Sequence, residues 1–275
     1  EYAIKVLKDP ESEYFSQVAI FVFHNIDGKL REKLRKEKIT DSLKNATVNI
    51  GIVLLLASVL LVDEGEFKEF FDSGGSSMLE KCVSKTEDDQ RSTTVSAAVI
   101  FALKAPSSML PQLKKFIPDL IEFMKSNNSK TCNQIAQFLT RYQLDDLSSF
   151  KEDISKSLLQ ITQKVDDQNT FNAIVSLLPL CKSIYKIEQF RFFYHLLNFN
   201  FTVPSVFIQT LIEVDDVEKR PELIFAILRA TASSNVTSVF LNFLQKCNSD
   251  DFDRVWRLSN FFNTINELLN LNDAS

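Results

Sequence analysis

Few side chains in this 275-residue sequence are of the types that perform chemistry. Histidine occurs only at His24 (VFHNID) and His195 (RFFYHLLNF), and neither has a Ser, Cys or Asp beside it in a nucleophile pattern. Lone histidines of this kind read as packed or surface residues. Cys82, Cys132, Cys181 and Cys247 are widely spaced and form no CxxC or CxH pair. A zinc site clustered in sequence is therefore not expected, and the four read as buried thiols of a reducing compartment. Asp88-Asp89, Asp145-Asp146, Asp166-Asp167, Asp215-Asp216 and Asp250-Asp251 look at first like acid clusters. They recur at turns and lack calcium-loop spacing, so helix capping and dipole complementarity account for them. No catalytic residue, metal site or cofactor site is predicted.

The glycines narrow the field further. There are five, all within the first 75 positions, and no GxGxxG or GxxxxGK[ST] spacing occurs. Phosphate loops need such glycines for close backbone approach, and tight β-hairpins need them for positive φ. Nucleotide folds of those kinds and β-sandwiches are excluded on this ground. The net charge of −5 opposes general binding to a phosphate backbone. One local basic run stands against it: Lys29–Lys38, KLREKLRKEK. On a helix, Leu30 and Leu34 form its buried edge. Lys29, Arg31, Lys33, Arg35 and Lys36 then line either a solvated face or a partner-binding patch. The 24 phenylalanines read as core filler, since Phe has no polar handle. The dense run EQFRFFYHLLNFNF places aromatics on several helix faces. Either both sides are buried, or Phe192 and Tyr194 belong to an apolar docking patch.

These residues must be carried by helices. Apolar spacings of three and four recur, as in Leu113, Phe116, Ile117, Leu120, Ile121 and Met124. No alternating strand is convincing. The run Val48–Val62 is apolar all round but too short for the roughly 20 residues of a membrane span, and it reads as the centre of a helical stack. Small residues recur inside apolar runs at Ala19, Ala57, Ala98, Ala136 and Ala173. Their period near forty residues is that of stacked helical repeats.

Phe67–Ser107 resembles an armadillo repeat. A short first helix ends at Gly74-Gly75, a second follows over Ser77–Ser84, and a third carries Ala97-Ala98. The other units match by period and are equally HEAT-like. The resemblance implies an all-α, right-handed α-solenoid of about six to seven armadillo/HEAT-like repeats covering residues 1–275 as one repeat domain. Glu1 in place of Met reads as the start of a fragment of a longer protein. Importin-type members line their groove with W-x-x-x-N pairs, of which this chain has one, Trp256 with Asn260. Ala97 with Phe101 and Ile135 with Leu139 do not repeat it. The opening YAIKVLK resembles the AIK box of protein kinases, with Lys5 as the phosphate-binding lysine. No HRD, DFG or glycine loop accompanies it, and the alternative is a first-repeat helix stopped at Asp9-Pro10.

The expected function is a non-enzymatic protein-interaction scaffold or regulatory adaptor. It would hold a protein partner through the solenoid groove or an end patch, without cofactor, small-molecule substrate or transmembrane segment. Cytoplasm is the expected location, with the nucleus as second choice. The alternatives are a regulatory domain attached to an enzyme, or a basic-patch binder of acidic lipid or nucleic acid.

Overall fold

The computed structural model describes residues 2–84, 91–126, 130–162, 165, 167–181, 184, 207 and 210. Every regular element among them is helical. The chain divides into two compact units, Glu1–Gln143 and Leu144–Ser275.

The first unit opens with α1 (Tyr2–Leu7) and α2 (Phe15–Asn25). Lys5 thus lies on a helix, not on a kinase-like strand. The turn between them holds Asp9-Pro10, where the ring removes a donor and bars further helix. Next come α3 (Gly28–Lys36), α4 (Ile39–Leu43) and α5 (Ile50–Leu60). Asp27 caps α3 by accepting from the Leu30 amide at 2.7 Å. Two turns that glycine would usually make are made without it: Lys38 after α3 and Asn49 before α5 are left-handed, at φ 54° and 53°.

A third group follows as α6 (Glu64–Phe70), α7 (Ser76–Val83) and α8 (Arg91–Lys104). Asp63 caps α6 through the Glu66 amide at 2.8 Å. A wide five-residue turn, Phe71–Gly75, joins α6 to α7 at the double glycine. Gly74 is needed here for room, not for φ. A Cβ on it would stand 2.4 Å from the Lys44 carbonyl oxygen, and one on Gly75 would stand 2.9 Å from the Phe70 ring. The last group comprises a 3-10 turn at Ser107–Met109, α9 (Leu110–Leu113), α10 (Ile117–Ser126) and α11 (Lys130–Leu139). The stripe predicted from Leu113 to Met124 is buried throughout.

Within this unit α2 packs on α5, α5 on α8, and α8 on α11. These four helices carry Ala19, Ala57, Ala98 and Ala136, each no more than 1% exposed. Small side chains at the crossings let the backbones approach, while Phe15, Phe101 and Phe138 fill the flanks. Burial of each such ring contributes roughly 1.5–3 kcal/mol. Phe67 and Phe70 of α6 stand against Phe101 with ring centroids 4.6 and 5.8 Å away. Polar links join helix groups at sequence separations of 25–39 residues. Thr47 Oγ1 donates to Glu11 across 36 residues, Ser96 to Gln134 across 38, and Lys115 to Ser76 across 39. Arg141 closes the unit. Its guanidinium donates to the carbonyls of Ala102 (2.7 Å), Leu103 (3.2 Å) and Ala105 (2.6 Å) at and just past the end of α8, where helical carbonyls lack their usual partners. Burial pushes its pKa down.

In the second unit a 3-10 segment, Leu144–Phe150, precedes α12 (Lys151–Ile161) and α13 (Gln168–Cys181). Asp167 caps α13 through the Thr170 amide at 2.9 Å. Asp145 and Asp146 occupy the first turn of the 3-10 segment, where they complement its dipole. Buried Phe171 meets Phe207 edge-on at 5.4 Å.

No single helix among the described residues is long and apolar enough to cross a membrane. Of the run Val48–Val62, residues Ile50–Leu60 form α5, whose Val53, Leu54, Leu56, Ala57 and Leu60 are buried, while Val48 and Val62 at its ends are exposed.

Two stability outcomes follow from this packing. Gly74→Ala forces a methyl against fixed backbone and lowers the unfolding free energy by about 1–3 kcal/mol. Gly28→Ala, with nothing within 4 Å of the new Cβ, leaves it unchanged or slightly raised in the same denaturant titration. Arg141→Met strips three carbonyls of their charged donor and costs about 1.5–3 kcal/mol. Arg141→Lys recovers part of that loss.

Candidate functional site

The apolar run that builds α5 begins with a polar interruption, Asn49, and a glycine, Gly51. Both have structural work. Asn49 sits at the left-handed turn entering α5, and its side chain faces backwards. Its Oδ1 accepts from Ser16 Oγ at 2.9 Å, and its Nδ2 donates to the Pro10 carbonyl at 3.0 Å. Those bonds tie α5 to α2 and to the α1–α2 turn. A Cβ on Gly51 would meet Ala97 Cβ at 3.5 Å and Thr94 Cα at 3.6 Å, so α5 and α8 cross here with room for a methyl group and little more.

Around this crossing opens a cavity of about 550 Å³. Ser16 of α2, Asn49 to Ile52 and Leu55 at the start of α5, Lys81 and Cys82 of α7, and Thr93, Thr94 and Ala97 of α8 line it. Thr47 and Val48 form its edge. The Thr47 hydroxyl and amide both donate to Glu11, at 2.8 and 3.1 Å, and hold this edge in place. The same bonds hold the Glu11 carboxyl below its ordinary range. Two ionisable groups line the space. Lys81 is exposed and forms no ion pair among the described residues. Cys82 is buried, and burial pushes its thiol up to about 12, so it is neutral at physiological pH. Hydroxyls, one fixed amide, one ammonium and an aliphatic floor make a receptacle of the size that takes a side chain or small group. No nucleophile and base adjoin in it.

Among the predicted site residues, Lys29, Arg31, Lys33, Arg35 and Lys36 all lie on α3. Leu34 is buried beneath them and Leu30 half-buried. Arg35 points inward to the next group of helices, where it pairs with Glu66 and stands 4.0 Å from Asp63. These carboxylates raise its pKa. Arg31 is half-buried, with its Nε shielded from solvent. Lys29, Lys33 and Lys36 are exposed. Phe192, Tyr194, Trp256 and Asn260 lie outside the described residues, as do His195 and Cys247. His24 is exposed at the end of α2, edge-on to Phe23 at 5.2 Å. Cys82, Cys132 and Cys181 are buried and form no disulfide with one another. No cluster of three or more His, Cys, Asp or Glu side chains suited to a metal occurs among the described residues.

Large exposed apolar side chains gather early in the described chain: Tyr2, Tyr14, Ile20, Phe21, Val48 and Val62. Tyr14 and Phe21 are 51% and 65% exposed, which leaves an apolar surface on and beside α2. Sequence reasoning missed both this surface and the cavity. The signal for the cavity was present in Asn49 and Gly51, two residues foreign to an otherwise aliphatic helix. Comparison with protein-family models, with curated proteins and with solved structures yields no match to this chain.

Thiol chemistry checks the burial. In a Cys247→Ser background, Cys82, Cys132 and Cys181 react with a disulfide reagent at least ~100-fold more slowly in the native protein than in denaturant.

Proposed function

We propose that the chain is a non-enzymatic protein-interaction scaffold built as an armadillo/HEAT-type α-solenoid, and that it holds a partner polypeptide across α2, α5 and α8. The observation that carries this reading is the cavity at the α5–α8 crossing, which α2, α5, α7 and α8 line together. The exposed Thr93 hydroxyl and Lys81 ammonium on its lining suit polar contacts with a polypeptide segment, and its aliphatic floor suits one anchoring side chain.

The repeat reading is supported by three features. The successive packing of α2, α5, α8 and α11 follows the alanine period. Polar links between groups recur at 36–39 residues. The Gly74-Gly75 corner sits between a short first helix and a second. Each group of helices leaves apolar surface that its neighbour covers, the physical basis of repeat stacking.

Selection of a random-peptide library against the folded chain tests the reading. Enriched peptides bind the unaltered protein and lose at least about tenfold in affinity for Thr93→Trp, which fills the cavity mouth from an exposed position. Enrichment of no peptide, or equal binding to Thr93→Trp, overturns it.

A further inference from the structure

The cations of α3 divide by face. Arg35 lies on one side of the helix and is engaged by Glu66 and Asp63 within the fold. Lys29, Lys33 and Lys36 follow one another at i, i+4 and i+7, so they form a single row on another side. All three are exposed, and none forms an ion pair among the described residues. The row continues onto α1. Lys8 Nζ, from the turn just after α1, bridges to Glu37 at 2.9 Å, one residue beyond Lys36, and Lys5 is an exposed lysine of α1 three positions before it. Lys8 and, to a lesser extent, Lys33 hold the Glu37 carboxyl below its ordinary range, which places Lys33 beside this junction.

Three exposed lysines therefore line one side of α3, with Glu32 within one helical turn of Lys29 and Lys36 and with Glu37, already bridged by Lys8, at the end of the row. Like charges spaced four apart on a helix destabilise it by a few tenths of a kcal/mol. The row also lies on a protein of net charge −5, so its field is local and not a general attraction for polyanions. Lys29 to Lys36 spans seven residues, about 10 Å along the axis. That footprint is a narrow strip with a carboxylate on its edge. It fits a single chain carrying acids at helical spacing better than a plane of lipid head groups.

We propose that the Lys29–Lys33–Lys36 row, extended by Lys5 and Lys8, is a docking strip for an acidic polypeptide segment whose carboxylates recur every three to four residues. The strip is distinct from the α5 cavity. It shares with the proposed scaffold role only the class of partner.

A fluorescent helical peptide with glutamates at i, i+4, i+7 and i+11 is the probe, titrated against the whole chain by anisotropy. A peptide of equal composition with its glutamates placed in one block is the comparison. The spaced peptide binds, and its affinity falls at least about tenfold in the Lys29→Gln/Lys33→Gln/Lys36→Gln protein and in high salt. Lys104→Gln/Lys130→Gln, exposed lysines elsewhere on the same unit, leave it unchanged. Circular dichroism confirms that the triple variant is folded, and Lys33→Gln alone serves if it is not. Three outcomes overturn the proposal: equal binding of the block peptide, equal binding by the α3 variant, or tighter binding of phosphatidylserine vesicles or duplex DNA than of the spaced peptide. The Thr93→Trp protein binds the spaced peptide normally, so failure of the strip and failure of the cavity are read separately. Loss of binding in Thr93→Trp also counts against the strip.

Discussion

The close crossing of α5 and α8 is the constraint on which the first unit depends. Gly51 and Ala97 face each other where the two helices cross. A methyl at Gly51 would fit in ordinary contact, but a side chain longer than that would press α8 away from α5. It would also separate the parts of the cavity lining that α5 and α8 contribute. Because α5 contacts α2 on its other side, the displacement would pass to the Ser16–Asn49 hydrogen bond and to the α1–α2 turn. Close-packed interiors transmit strain in this way, since no void absorbs it.

Polar groups specify what the apolar contacts only permit. Buried alanines and phenylalanines would tolerate a slip of one helix past the next. Links such as Ser96 with Gln134 and Arg141 with the three carbonyls ending α8 would not, because each leaves a buried donor or acceptor unpaired when displaced. Arg141 does two tasks with one side chain. It satisfies the acceptors that a helix end leaves open, and it ties the turn after α11 to the turn after α8.

Much of this fold was readable from residues alone. The alanine period identified the crossings at Ala19, Ala57, Ala98 and Ala136, because only small residues permit backbones to touch within an apolar run. The three-four spacing from Leu113 to Met124 identified one buried stripe, and the double glycine identified the α6–α7 corner. Boundaries were less legible. Ser77–Ser84 was expected for the helix that runs Ser76–Val83, since the wide turn before it delivers the chain already in helical geometry. The cavity could not be read, because its lining comes from positions as distant as Ser16 and Ala97 that meet only after packing. The role of Arg35 was hidden for the same reason. Its partner Glu66 belongs to α6, and a run of basic residues carries no mark of which members face inward.

The short sequence separation of the cross-links also governs how the unit can assemble. Contacts between residues 25–39 apart close loops of modest entropy, whichever link forms first. The links between groups therefore do not require the two ends of the unit to meet before structure grows. Folding can start at any adjacent pair of helix groups and spread to either side, the kinetic regime of topologies with low contact order.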